Sequence, residues 1–120
     1  MQYIGFAAQI IVALGIFNVW LLRFNRSTGY RGGDAQNMRE EFAAYGLPAW
    51  FMYTIGALKL AFAVALLAGF WISELIVPAG VGMAALMLGA VAMHLKVGDP
   101  PKRAAPAAAM LILSLAAAFL

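Results

Sequence analysis

The sequence predicts an all-α polytopic membrane protein: a bundle of four transmembrane helices with a short interfacial helix between the first and the second. Two observations predict it. Of the 120 residues, 65% are hydrophobic and 11% charged, whereas a soluble domain carries about a quarter charged residues. The apolar residues also gather into four runs, each near the roughly 20 residues that a helix needs to cross the hydrocarbon core. A chain this small has too little interior to hide so much apolar surface from water, so lipid is the expected solvent of its outer face. One domain over residues 1–120 is expected.

The first run covers residues 3–22. It is not expected to be a cleaved signal, because Met1, Gln2 and Tyr3 carry no positive charge and the run is too long. A polar connection, residues 23–49, follows. Its opening, from Arg23 to Gly33, has the composition of a loop. Asp34 is then expected to cap a short helix over residues 34–45, with Gly46 in a left-handed C-terminal position and Pro48 preventing continuation. On that helix Met38, Phe42 and Tyr45 fall at i, i+4 and i+7. Such an apolar stripe suits a helix in the membrane interface or at the mouth of the bundle; a surface loop without further role is the alternative. The second run covers residues 50–70. The third, residues 75–94, passes Pro78 in its first turn, where proline is tolerated. The fourth, residues 104–120, is the shortest, rich in alanine, with Pro106 early in it.

Basic residues set an orientation. Arg23, Arg26, Arg31 and Arg39 lie in the first connection, and Lys96, Lys102 and Arg103 in the third; the second connection and both ends have none. Short cationic connections stay cytoplasmic, so both termini are expected on the outer side of a bacterial inner membrane, with Glu74 at the outer end of the third helix. The net charge of +3 is accounted for by cations facing anionic lipid heads. No basic helix or stacking platform suggests nucleic acid as a partner. The lipid bilayer is the expected partner; other membrane subunits and a second copy of the chain stay open. Ala57, Ala61, Ala65 and Gly69 recur every four residues on the second run, as Ala85 and Gly89 do on the third. Ridges of this kind are expected to admit a neighbouring backbone.

Lys59 is the most informative residue. It stands near the bilayer centre, where a cation costs roughly 2.5–3.5 kcal/mol on insertion scales. Gln9 is nearest to it axially on the first helix, with Asn18 farther along. Those two lie about 180° apart around the helix and cannot face one neighbour. Lys59 either lines a polar pocket for a ligand head group or proton, or snorkels as a structural anchor. His94 is the only histidine, at the end of the third helix. It could bond backbone or lipid beside Trp50 and Tyr53, or meet a quinone carbonyl in an aromatic-walled site. Lys59, His94, Gln9, Asn18, Trp50 and Tyr53 are thus the candidate polar pocket or quinone site. No residue is assigned a catalytic role, and Asp99, Glu40 and Glu41 are too thin a set beside His94 for a metal to be expected.

Cysteine is absent, which removes disulfides, thiolate chemistry and iron–sulfur ligation by this chain. One histidine cannot hold haem between two. Trp20, Tyr45, Trp50, Tyr53 and Trp71 fall at helix ends, as an aromatic belt does. No nucleophile–base pair can be assembled, and Gly29, Gly32 and Gly33 match no nucleotide-binding spacing.

Two segments carry a resemblance. One runs Asn18-Val19-Trp20-Leu21-Leu22-Arg23-Phe24-Asn25-Arg26, on through Tyr30-Arg31-Gly32-Gly33 and Asn37-Met38-Arg39-Glu40-Glu41-Phe42 to Tyr45-Gly46-Leu47-Pro48. The other is Ala92-Met93-His94-Leu95-Lys96-Val97-Gly98-Asp99-Pro100-Pro101-Lys102. With the four-run hydropathy profile, they resemble the DoxX-like family of small membrane proteins. The resemblance implies a four-helix fold. It also implies a setting: some relatives act beside thiosulfate:quinone oxidoreductases or redox-stress complexes, and distant animal relatives act as membrane chaperones. The expected function is a non-catalytic accessory or small-ligand-binding subunit, associated with a quinone-linked redox system. A quinone-binding oxidoreductase subunit and an assembly factor for a larger complex are the alternatives. Any redox role would come from a bound quinone or a partner.

Overall fold

The computed structural model describes residues 2–120. Helix α1 runs Gln2–Phe17 and continues into a π-helical turn, Asn18–Leu22. The short α2, Met38–Ala44, lies in the first connection, and α3 is Ala49–Ala68. A 3-10 turn, Ser73–Leu75, leads into α4, Ile76–Lys96; α5 is Pro101–Phe119. Among the described residues, four segments are long and apolar enough to cross a bilayer: Gln2–Leu22, Ala49–Ala68, Ser73–Lys96 and Pro101–Phe119. The protein is a multi-pass membrane protein.

The four long helices close into a ring, α1 packing on α3 and α5, and α4 on the same two. Their inner faces supply the core: Val12, Ala13, Met52, Ala63, Leu66 and Met83 are inaccessible to solvent. Their outer faces are hydrocarbon, with Leu14, Leu88 and Ile112 58%, 59% and 68% exposed. A lipid-facing surface of this kind is stable only where backbone polar groups are satisfied inside each helix. The start of α1 meets the end of α5: a Cβ placed on Gly5 would lie 2.7 Å from the Leu120 carbonyl carbon. The start of α1, the end of α5 and the turn before α4 share one end of the bundle. The first and third connections share the other.

Helix α2 starts later than the sequence suggested. Its cap is Asn37, not Asp34. The Asn37 side chain accepts the Glu40 N–H at 2.9 Å, and Glu40 reaches back to accept from Asn37 Nδ2 at 3.0 Å and from the Gln36 N–H at 3.2 Å. This reciprocal capping outcompetes an isolated aspartate. At the other end, Gly46 has φ +78. Its N–H bonds Ala43 C=O at 3.0 Å, and the Leu47 N–H bonds Phe42 C=O at 2.9 Å, a Schellman ending. Met38, Phe42 and Tyr45 are all buried.

The small-residue ridges pack only in part: Gly69 is buried against Ile76 and Ala65 packs on the core. Ala57 and Ala61 face outward, while Ala85 and Gly89 are open to a cavity inside the bundle. Other close approaches lie one face round. Gly56 meets the Trp20 ring, where an added Cβ would come within 2.5 Å of Cζ3, and Gly80 meets Ser114 and Ala118 of α5. A period of four drifts across the helix surface, so it does not by itself say which face a neighbour takes.

Candidate functional site

The end of α4 is built by one local device. Gly98, at φ +73, lets the chain close a second Schellman turn: its N–H bonds Leu95 C=O at 3.2 Å, and the Asp99 N–H bonds His94 C=O at 3.0 Å. Pro100 then stops the helix, and Pro101 starts α5. The turn sets Asp99 beside His94. His94 Nδ1 donates to Asp99 Oδ2 at 2.7 Å, and both side chains are buried. Asp99 Oδ1 accepts the Gly33 N–H at 3.0 Å and Arg103 Nη1 at 3.1 Å. Arg103 also donates to the Gly33 carbonyl. One carboxylate thus ties the third connection and α5 to the first connection.

Burial works to raise the Asp99 carboxyl. The hydrogen bonds from His94 and Gly33, with the positive charge of Arg103, more than offset it, and the group sits below the usual aspartate value.

The network continues through α2. His94 Nε2 faces Tyr45 Oη at 3.5 Å, with the rings nearly perpendicular. Tyr45 Oη donates to Glu41 Oε1 at 2.8 Å, and Glu41 Oε2 pairs with Arg31 Nη1 at 2.8 Å. Arg31 is 4% exposed, and it also donates to the Arg23, Phe24 and Arg26 carbonyls. Lys96 Nζ bonds the Tyr45 carbonyl at 2.9 Å. Burial, then the Glu41 carboxylate, push the Tyr45 hydroxyl well above its ordinary range. It therefore stays protonated and acts as a donor.

Above this network, inside the ring, lies a cavity of about 850 Å³. All four long helices and α2 line it. Its walls are mainly apolar, from residues such as Ile16, Leu47, Phe51, Ile55, Met87 and Met110, while Glu41, Tyr45, His94 and Arg103 form the polar end. The size is that of a site for a small organic ligand. Lys59, at the midpoint of α3, also lines it. Lys59 is 9% exposed, and its Nζ lies 5.5 Å over the Trp20 ring, a cation–π distance. It makes no hydrogen bond among the described residues.

The predicted site residues separate into two groups. Lys59, His94 and Asn18 line the cavity. Asn18 Oδ1 accepts Arg23 Nε at 3.2 Å from within the π-helical turn. Gln9 does not line it: Gln9 lies in the other half of the bundle, and its Nε2 donates to the Leu66 carbonyl at 2.8 Å. Trp50 and Tyr53 do not line it either. They are 69% and 50% exposed, on the outer face of α3, and Tyr53 Oη receives Arg39. The aromatic neighbour of His94 is Tyr45. Sequence reasoning missed Trp20, which reads as belt but points inward, and the Arg31–Glu41–Tyr45 chain. The buried stripe of α2 was the available signal for that chain, because Glu41 lies four residues before Tyr45 and can reach its hydroxyl.

Comparison with known families decides the kinship. A model of the DoxX-like family matches residues 16–117. The chain belongs to the DoxX-like family. The matched DoxX-like region takes in the π-helical turn, α2, Lys59 and the whole network from Arg31 to Arg103. No curated protein matches the chain, and no solved structure does.

Proposed function

We propose that this DoxX-like protein is a non-catalytic, small-ligand-binding accessory subunit of the bacterial inner membrane, working with a quinone-linked redox system. The observation that carries the reading is the cavity of about 850 Å³, with apolar walls, a hydrogen-bonded polar end and, halfway along, a lysine that makes no hydrogen bond among the described residues. Apolar walls with a few convergent polar groups are the usual make-up of a ligand site. The residues fit a quinone: the walls take its isoprenoid tail, Lys59 Nζ is a free donor for a carbonyl oxygen, and Trp20 offers a ring to stack on. A bound quinone would supply electron transfer. The chain itself would bind and orient the ring and keep water from it. In this reading both termini face outward, and the cationic first and third connections meet the cytoplasm. Redox partners or a second copy would dock on the hydrocarbon faces within the bilayer.

Purification in mild detergent from its own membranes tests this, followed by solvent extraction and mass spectrometry of retained lipophiles. A near-stoichiometric quinone or similar amphiphile is expected. Protein free of any retained lipophile, and unable to bind an added one, would overturn the reading.

A further inference from the structure

The charges around the cavity do not balance. Arg23, Arg31, Lys59 and Arg103 line it against a single lining carboxylate, Glu41. Glu41 is committed to Arg31 and to Tyr45. Arg103 is answered by Asp99 behind the wall. Arg23, at the open end, is exposed and rests on the neutral Asn18 amide. Lys59 has neither a carboxylate within ion-pairing distance nor a hydrogen bond among the described residues, only the face of Trp20. An ammonium group has three donors and no acceptor. Facing an apolar-walled cavity at the midpoint of a membrane-spanning helix, it is costly until an oxygen acceptor arrives. A neutral carbonyl would satisfy one donor and leave the charge; an anionic oxygen would answer both.

We propose that the cavity selects lipophilic monoanions: ligands with one acidic head, a carboxylate or phenolate, on an apolar body, with the head ion-paired to Lys59. The inference rests on the cavity being a ligand site and adds a charge preference that a quinone alone would not need. Lys59 anchors the head, Trp20 flanks it, and the apolar walls take the body. The excess positive charge draws the deprotonated form of a weak acid inward, since a charged cleft with low-dielectric walls concentrates ligands of opposite sign.

Trp20 supplies the readout. Of the three tryptophans it alone lines the cavity, while Trp50 and Trp71 are exposed. The full chain with Trp50→Phe and Trp71→Phe, in nanodiscs of zwitterionic lipid, is titrated with dibromostearate, with its methyl ester and with decylubiquinone, each a quencher of tryptophan emission. Titrations are run at about pH 8, far above ordinary carboxylate values. Saturable quenching by the acid is expected at least tenfold tighter than by the ester. Lys59→Met should weaken the acid to the level of the ester and leave the ester unchanged. Equal affinity for acid and ester would overturn the charge preference while leaving the cavity a ligand site; that comparison needs no Lys59 variant and so survives a folding failure of Lys59→Met. An acid affinity unmoved in folded Lys59→Met would overturn the role of Lys59. Quenching that never saturates, with decylubiquinone included, would remove the ligand site itself.

Discussion

His94 Nδ1 donates to Asp99 Oδ2 at 2.7 Å, and the two residues are also joined through their backbones, Asp99 N–H to His94 C=O at 3.0 Å. With Nδ1 held by the carboxylate, Nε2 is turned toward Tyr45 Oη, 3.5 Å away at the polar end of the cavity. The carboxylate that orients the ring also holds Gly33 and Arg103. A single side chain thus couples the polar end of the cavity to the closure of the loop end of the bundle.

Asp99→Asn is expected to lower thermal stability in detergent by about 1–3 kcal/mol, the range for leaving buried hydrogen-bonding groups short of a partner. The acid profile gives the sharper reading. Asp99 lies below its ordinary value in the folded protein, so it adds stability above the unfolded-state value of about 4. That stability is lost as pH falls from there through the lower, folded value. The wild-type midpoint should therefore fall below about pH 4 by more than that of Asp99→Asn. Parallel acid profiles would mean that Asp99 is not held as an ion.

Gly56→Ala places a methyl 2.5 Å from the Trp20 ring and should cost about 1–3 kcal/mol, as overpacking does. Ala61→Leu, on the lipid face, should cost less than Gly56→Ala. Detergent melting curves in the reverse order would show that the Ala57–Ala61 face is itself a packed interface.

Ser114 is fully buried on α5, and its hydroxyl has no partner among the described residues. Ser114→Ala should raise the melting midpoint, since an unsatisfied buried hydroxyl costs about 1–3 kcal/mol on mutational scales. A lowered midpoint would reveal a partner for the hydroxyl in the membrane.

A reporter active only in the cytoplasm, fused after Leu120, should stay silent, and the same reporter inserted after Thr28 should be active. The opposite pattern would invert the orientation that the seven loop cations imply.

Hydropathy was enough for the four helices, because a bilayer imposes length and apolarity on each one separately. What lay beyond its reach was the direction in which each helix faces. Apart from Lys59, α3 is apolar nearly all round, so Ala57 and Ala61 look as suited to packing as Gly56, and only the bulk of Trp20 opposite decides between them. Trp20 shows the same difficulty: a tryptophan near a helix end suits the belt equally well, and the widened π-helical turn that holds it carries no clear sequence mark. Gln9 and Asn18 were read as pointing apart from the ideal helix angle, yet both sit on the inner side of the bundle at different depths, Gln9 bonding a carbonyl of α3 and Asn18, in the π-helical turn, lining the cavity. The His94–Asp99 pair was within reach, since a glycine between them at the end of a helix implies the turn that joins them. Arg31 was counted as a loop cation for topology. Its burial depends on Glu41, a contact that spacing along the chain does not reveal.

A density map of the protein in its native lipid, at a resolution that defines side chains, tests the central claim most directly. The account expects elongated density within the cavity, its head within hydrogen-bonding distance of Lys59 Nζ and beside the Trp20 ring, with His94 and Asp99 still paired below. A cavity closed by side-chain repacking, with Lys59 turned to the lipid or bonded only to protein groups, would contradict it.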